Sequence, residues 1–273
     1  MKTEKQNAKK SGIIYSCYHS ASRDGEHFVP EHTLSFQIAG SLVLSDGSKS
    51  YASVQDSLRL IRRNQLLKFV KHPPKEGDFK SLSIYFNQET LKEFSLHYNV
   101  FAKKAATPKP VVNIVTTPIL RAYINSLLEY RSCKGLENKA VTDLKLKEGL
   151  LLVIEAHPEL KNILFDFTEP HKINLEEFMM RNYHFNVNLD RFAYLTGRSL
   201  ATFKRDFQHH FQESPRQWLQ QKRLEQAHYL LTHEGKNANT IYLDVGFENL
   251  SHFSYAFKKR FGYAPSTLKT SHS

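Results

Sequence analysis

Cysteine is almost missing from this chain. Its two cysteines, Cys17 and Cys133, stand far apart in 273 residues, and neither belongs to a C-x-x-C pair. That spacing argues against a disulfide framework and against a cysteine-rich zinc site. Long apolar runs are missing as well. No stretch is long and apolar enough to cross a membrane, and the opening M-K-T-E-K-Q-N-A-K-K-S-G has none of the apolar core of a signal peptide. The expectation is a cytoplasmic protein that meets no membrane. Acidic charge is scarce: 27 Asp and Glu face 38 Lys and Arg, a net charge of +11. Such a balance favours a polyanionic partner. The excess is spread along the chain. From residue 170 onward fourteen Lys and Arg stand against nine Asp and Glu, so charge alone singles out no region.

What the chain does contain is a pattern written twice. Phe203, Phe207, Phe211 and Pro215 stand four apart, and Phe253, Phe257, Phe261 and Pro265 repeat the series fifty positions later. Residues four apart lie one above another on a helix, so each trio forms one aromatic stripe that must pack on a neighbour. A short helical segment ending in glycine precedes each stripe: Leu189 to Gly197, then Ile241 to Gly246. Short helix, glycine turn and second helix outline a helix-turn-helix unit, here at about 189–211 and 241–261.

With the stripes turned inward, Arg198, Leu200, Ala201, Lys204, Arg205 and Gln208 face outward in the first unit. Leu250, Ser251, Ser254, Tyr255, Lys258 and Lys259 do so in the second. An α-helix fits the major groove and offers its N-terminal half to base edges. Lys204 and Arg205 suit guanine or phosphate. Ser251, Ser254 and Tyr255 each bring one hydrogen bond and apolar contact. Lys258, Lys259 and Arg260 lie a turn later, where phosphate contact is favoured. The competing reading is an ordinary solvated face; two copies in register favour DNA. Between the copies, Ser214-Pro215-x-Gln217 is a helix start and His233-Glu234-Gly235 an end. Trp218, Leu219, Ala227, Leu230 and Leu231 give that connecting helix an apolar face.

From about Leu175 to Leu268 the chain resembles the DNA-binding domain of the AraC/XylS transcription regulators. The most specific stretch is I-Y-L-D-V-G-F-E-N-L-S-H-F-S-Y-A-F-K-K-R-F-G-Y-A-P, Ile241 to Pro265. The resemblance implies base contacts from Ala201, Lys204 and Arg205 in the first unit, and from Leu250, Ser251, Ser254 and Tyr255 in the second. Two residues depart from the family pattern. Tyr242 replaces the usual alanine, so packing must make room for a ring. Tyr255 stands where arginine is common, which removes a bidentate guanine contact.

The N-terminal half reads differently. Residues 1–12 are polar and lysine-rich and are expected to be a disordered tail. Leu34, Phe36 and Ile38 alternate with polar residues, Leu42 and Leu44 follow Gly40, and Asp46-Gly47 marks a hairpin turn. Further short strands are expected at Tyr51–Val54, Leu58–Ile61, Leu66–Val70 and Leu82–Phe86. Residues 13–110 thus suggest a small antiparallel barrel or sandwich; the AraC resemblance implies a cupin-like sensor domain there. Glu26, His27, Glu31 and His32 are the metal candidates, but no H-x-H with a suitably spaced glutamate accompanies them. They suit a solvated loop equally well. Arg59, Arg62 and Arg63 suit either an anionic ligand or a basic strand edge that discourages pairing. Tyr85 and Phe86 fit core packing better than a pocket lining.

Residues 111–169 read as a helical connector. A short helix opens at Asn87, Thr117-Pro118 starts a helix running to about Arg131, and another runs from about Thr142 to His157. The last is apolar around most of its circumference, so it needs cover on more than one side. The family resemblance implies a dimer interface here, with Leu144, Leu150, Leu151 and Ile154 the candidates; burial within one chain is the rival. A DNA-binding domain is expected at 170–273. The chain as a whole is expected to be an α+β multidomain protein: a β-barrel with a helical pair, then an all-α domain of two helix-turn-helix units joined by a long helix. The leading function is a DNA-binding transcription regulator, an activator, partnered by double-stranded DNA, a second copy of itself, and a small-molecule or protein effector. No enzyme activity, cofactor or metal is expected. The alternatives are a cupin-type enzyme or a protein-interaction module carrying the helical half as an accessory.

Overall fold

The computed structural model describes residues 12–23, 27–104 and 109–268. The tail expected at 1–12 lies outside them except for Gly12, and so does Glu26. Two compact units emerge. The first takes in residues 12–23 and 29–168; the second takes in His27, Phe28 and residues 169–268.

The strands are β1 (Ile13–Tyr18), β2 (Phe28–Val29), β3 (His32–Ala39), β4 (Ser41–Ser45), β5 (Ser50–Ser53), β6 (Leu58–Ile61), β7 (Gln65–Leu66), β8 (Lys68–His72), β9 (Phe79–Phe86) and β10 (Val111–Ile114). The first unit is built on a five-stranded antiparallel sheet in the order β1-β9-β3-β6-β10. A three-stranded sheet, β5-β4-β8, packs on it. At its hairpin Asp46 Oδ1 accepts from the backbone N–H groups of Ser48 and Lys49 at 2.9 and 2.7 Å, the side-chain-to-backbone bonding that makes Asp a turn former.

Strand β3 lies at the centre and is buried on both faces from His32 to Gln37. The period of two then sorts its side chains. Leu34 and Phe36, with Leu58, Leu60, Leu82, Ile84 and Phe86 of the flanking strands, face the helices and form the main core. The alternate residues face the small sheet, where Ile61, Phe79 and Val111 meet Leu42 and Leu44.

Four helices belong to this unit: α1 (Gln88–Tyr98), α2 (Pro118–Ser132), α3 (Lys139–Ala156) and α4 (Lys161–Leu164). Asn87, Thr117 and Asn138 cap the first three, each accepting from a backbone N–H of the first turn. Helix α3 begins three residues before the expected Thr142 because Asn138 Oδ1 accepts from Ala140 N at 3.0 Å. Strands β1 and β10 were not anticipated, and Val111–Ile114, assigned to the helical connector by sequence, is an edge strand.

Helix α3 also corrects the dimer candidates. Leu150 and Ile154 are buried in the core of this unit together with Leu146 and Val153, so they are not available to a second chain. Leu144 and Leu151 lie on the other side, 68% and 37% exposed.

Residues 169–268 of the second unit form the helices α5 (Leu175–Asn182), α6 (Leu189–Leu195), α7 (Leu200–Phe211), α8 (Pro215–His233), α9 (Ala238–Asp244) and α10 (Leu250–Phe261). The chain is therefore α+β, with its β-rich part first. No described helix is long and apolar enough to cross a membrane.

Candidate nucleic-acid interface

Helices α7 and α10 share one plan, with a leucine at the start and phenylalanines at equivalent positions. Each has 12 residues, and their starts lie fifty apart. Ser199 Oγ accepts from Thr202 N at 3.2 Å, and Asn249 Oδ1 accepts from His252 N at 2.8 Å. These caps satisfy N–H groups that the first turn leaves open. Before each cap the chain turns through a left-handed glycine, Gly197 at φ +65° and Gly246 at φ +96°. A Cβ at Gly197 would meet the backbone carbon of His171 at 2.2 Å, and one at Gly246 would meet His184 O at 2.8 Å. Only glycine permits both the torsion and the approach.

The phenylalanine stripes hold the rear faces. Phe203, Phe207, Phe253 and Phe257 are fully buried. Helix α8 serves both: Trp218 packs on Phe207 and Phe211 at centroid distances of 5.5 and 4.8 Å. Ten residues on, His228 packs on Phe257 and Phe261 at 6.1 and 4.6 Å. Tyr242 is half-buried at the edge of the second core, which is how the chain accommodates a ring at that position.

Ala201, Lys204 and Arg205 on α7 are exposed, as are Ser251, Tyr255, Lys258 and Lys259 on α10. Tyr255 is 69% exposed. Ser254 is half-buried. Two assignments change. Arg198 has a side chain only 5% exposed. Its Nε donates to Asp206 Oδ2 at 3.0 Å, and its Nη1 donates to the carbonyls of Ile173 and Thr196 at 3.0 and 2.7 Å. It braces the turn and is committed within the unit. Leu250 is half-buried against the second core, so little of it is left for a base. Lys258, Lys259 and Arg260 occupy the last turn of α10, where the helix dipole also favours cations.

Sequence reasoning missed two residues that shape this face. Arg223 on α8 donates from Nε to Tyr183 O and from Nη2 to Phe185 O, both at 2.8 Å. Burial pushes its guanidinium down to about 10, still fully charged at neutral pH. Its signal was legible: Arg223 falls on the 219, 223, 227, 230 stripe, a cation among apolar residues. Asp206 gave no such signal. Its carboxyl is held below the usual range, chiefly by the hydrogen bond from Arg198.

A cleft of about 500 Å³ lies between the two helix-turn-helix units. Leu200 and Lys204 of α7 line it beside Arg216 and Arg223 of α8 and His252 of α10, so the N-terminal turns of α7 and α10 open onto one concavity. The N-terminal candidates scatter instead. His32 is buried on β3, where burial pushes its imidazole down to about 3. Arg63 donates to the carbonyls of Asp166 and Thr168 at 3.4 and 2.8 Å. Phe86 is in the core. Among the described residues no three His, Cys, Asp or Glu are placed to hold a metal ion.

Known proteins match both units. A helix-turn-helix domain family matches residues 192–271, and the ExsA N-terminal regulatory domain family matches residues 32–167. The chain belongs to the AraC family of transcription regulators. This AraC-family chain is 25% identical to the HTH-type transcriptional regulator ExsA of Pseudomonas aeruginosa over 266 residues, 96% of its own length and 95% of that relative's. It is 32% identical to the virulence regulon transcriptional activator VirF of Yersinia enterocolitica over 173 residues. That match spans 60% of the AraC-family chain and 61% of VirF. An apo ToxT structure from Vibrio cholerae aligns over 94% of the chain and 96% of its own, at a TM-score of 0.45 and 14% identity.

Proposed function

We propose that this AraC-family regulator activates transcription by setting α7 and α10 in two successive major grooves on one face of DNA. The observation that carries this reading is the shared construction of the two helices, capped alike and opening on a common cleft. One helical turn of DNA, roughly 34 Å, separates such sites. Ala201, Lys204 and Arg205 read the first groove; Ser251, Ser254 and Tyr255 read the second. Lys258 and Lys259 hold phosphates. Activation rests on the relatives, which include a named activator.

The first unit is the regulatory half, in line with its match to a regulatory domain. A small-molecule or protein effector that favours one arrangement of the chain shifts its population by no more than its differential affinity. Leu144 and Leu151, exposed on α3, are the surface we assign to a homodimer. Selection from a random DNA pool tests the whole reading. A bipartite site with its halves one turn apart is the expected result for full-length protein. Failure to enrich any sequence, with and without extracts that supply an effector, would sink it.

A further inference from the structure

Helix α8 joins the two helix-turn-helix units, and it also carries a cation into the cleft between them. Arg216, the second residue of α8, is exposed and lines that cleft, with Gln220 one turn further along the same face. Arg216 and Lys204 together line a second concavity of about 380 Å³, beside Gln208 and Ser214. The two cations therefore stand side by side where α7 meets α8.

Most cations of residues 169–268 are engaged within the chain. Arg181 pairs with Glu177 at 2.7 Å, Lys236 with Glu234 at 3.1 Å, and Lys222 and Arg260 with Glu225 at 3.3 and 3.7 Å. Lys172, Arg198 and Arg205 surround Asp206, and Arg223 donates to two carbonyls. The side chains of Lys204, Arg216, Lys258 and Lys259 have neither an ion pair nor a hydrogen bond among the described residues. Lys204, Lys258 and Lys259 lie on α7 and α10, where DNA is the partner assigned. Arg216 is the exception.

The fold alone gives Arg216 no reason to be a cation. The first turn of a helix presents open N–H groups and the positive end of the dipole, so positive charge is disfavoured there. No acidic residue stands in the first turn of α8 to offset it. Asp190 and Glu248 line the same cleft, yet neither pairs with Arg216, and Glu248 Oε1 accepts from Asn186 Nδ2 at 2.8 Å. An exposed guanidinium held so, beside a second unpaired cation, suits an anion from outside the chain.

DNA supplies that anion at the right place. Successive major grooves on one face of the duplex are separated by a minor groove about 6 Å wide. Its borders are the two phosphate backbones, so a side chain lying between α7 and α10 meets phosphates before it meets base edges. We propose that Arg216 is a further DNA contact of this chain, which binds, beside Lys204, the backbone phosphates lying between the two half-sites. This contact rests on the two-groove reading of α7 and α10. It adds a hold on the backbone from the helix that joins the two units, and carries no sequence preference of its own.

The test is binding of full-length protein to its selected site and to random DNA across a salt series. Arg216→Ala should weaken both DNAs by the same factor and lower the slope of log K against log salt by about 1. Arg216→Lys, which keeps the charge, should retain the slope. Replacing the phosphates between the half-sites with uncharged methylphosphonates should weaken the natural protein and leave Arg216→Ala nearly unaffected. In urea Arg216→Ala should unfold at or above the midpoint of the natural chain, because a first-turn cation is removed. A clearly lower midpoint would make Arg216 a brace of α8 and overturn the proposal. An unchanged salt slope, a loss confined to the selected site, or equal methylphosphonate effects in both proteins would overturn it too, while leaving the two-groove reading in place. A natural protein that binds no DNA at any salt concentration would remove that reading and this contact together.

Discussion

Arg198 donates from Nε to Asp206 Oδ2 at 3.0 Å, tying the turn before α7 to the middle of that helix. The carboxylate also lies 3.7 Å from Lys172 Nζ and 3.9 Å from Arg205 Nε. Arg198, expected among the outward-facing residues of the first unit, is thus a brace for the helix that follows it. Replacing Arg198 with alanine removes a charge-assisted bond and strips the carbonyls of Ile173 and Thr196 of a donor. We expect a loss of about 2 kcal/mol in the stability of the second unit, measured by urea unfolding. Loss of cognate and random DNA binding should follow only from the unfolded fraction. A specific loss on cognate DNA with unchanged stability would return Arg198 to the interface.

Arg205 and Lys258 should separate base reading from phosphate binding. Arg205 is exposed on the outer face of α7, with a side chain 79% accessible. If it reads a base, Arg205→Ala reduces discrimination between cognate and random DNA by roughly 1–3 kcal/mol. Lys258→Ala should weaken all sequences alike and lower the slope of log K against log salt by about 1. Titrations at several salt concentrations distinguish the two. An equal loss on both DNAs for Arg205→Ala would make it a phosphate clamp.

Two of the left-handed glycines, Gly197 after α6 and Gly262 after α10, should respond unequally to alanine. At Gly197 the added Cβ lies 2.2 Å from the His171 carbon and 2.4 Å from Lys172 N. Both are backbone, so the turn must open. At Gly262, φ +87°, nothing lies within 4 Å of the added carbon. Gly262→Ala carries only the left-handed penalty of about 1–2 kcal/mol. Gly197→Ala should cost clearly more and abolish DNA binding by the first helix-turn-helix unit. Equal midpoints in urea for the two variants would contradict the packing at His171.

How much of this could be read from sequence depended on what kind of signal each residue sends. Phe203 to Phe261 announced two helices because four-residue spacing has one geometric meaning, and Ser199 and Asn249 sit where caps belong. The alternation at Leu34, Phe36 and Ile38 gave the central strand. Strand β1 was missed because Ile13–Tyr18 is bordered by a lysine-rich tail and alternates poorly. Arg198 was misjudged because a side chain's charge does not reveal whether a carboxylate, a carbonyl or solvent lies opposite it. Leu150 and Leu151 show the same limit, since an all-apolar helix does not say which side the core will take.

His32 makes the stability of the first unit depend on pH. Burial, with Arg63 and Arg62 adding to it, pushes its imidazole from 6.5 down to about 3. The folded chain holds this ring neutral, whereas the unfolded chain protonates it below about 6.5. The unfolded state thus binds more protons in that window, and stability rises with pH. The contribution is fully present above pH 6.5 and is lost progressively as pH falls toward 3. His32 Nδ1 is placed 3.4 Å from the Arg63 N–H, so His32→Asn offers an acceptor without a titrating ring. We expect that variant to lose the slope between pH 6 and 4 (roughly, set by the two pKa values). In the natural protein the His32 ring signal should not shift in NMR spectra until well below pH 5 (about one and a half units under 6.5). An ordinary titration near 6.5 would show that the ring is not buried as found.

The two sides of α3 give the last prediction. Leu150 is wholly buried in the core of the first unit, and Leu144, earlier on the same helix, is 68% exposed. If the helix were a dimer seam throughout, substitution on either side would change assembly. The burial says otherwise. Leu150→Ala should destabilise the unit by about 2–5 kcal/mol whatever the protein concentration. Leu144→Asp adds a charge on the solvent side and should leave the unfolding midpoint of a dilute sample within about 0.5 kcal/mol. If Leu144 and Leu151 form the dimer surface, the same charge should shift sedimentation toward monomer and weaken binding to duplicated DNA sites more than to single ones. Unchanged sedimentation of Leu144→Asp and Leu151→Asp together would move the dimer interface off this helix, while the core role of Leu150 would stand.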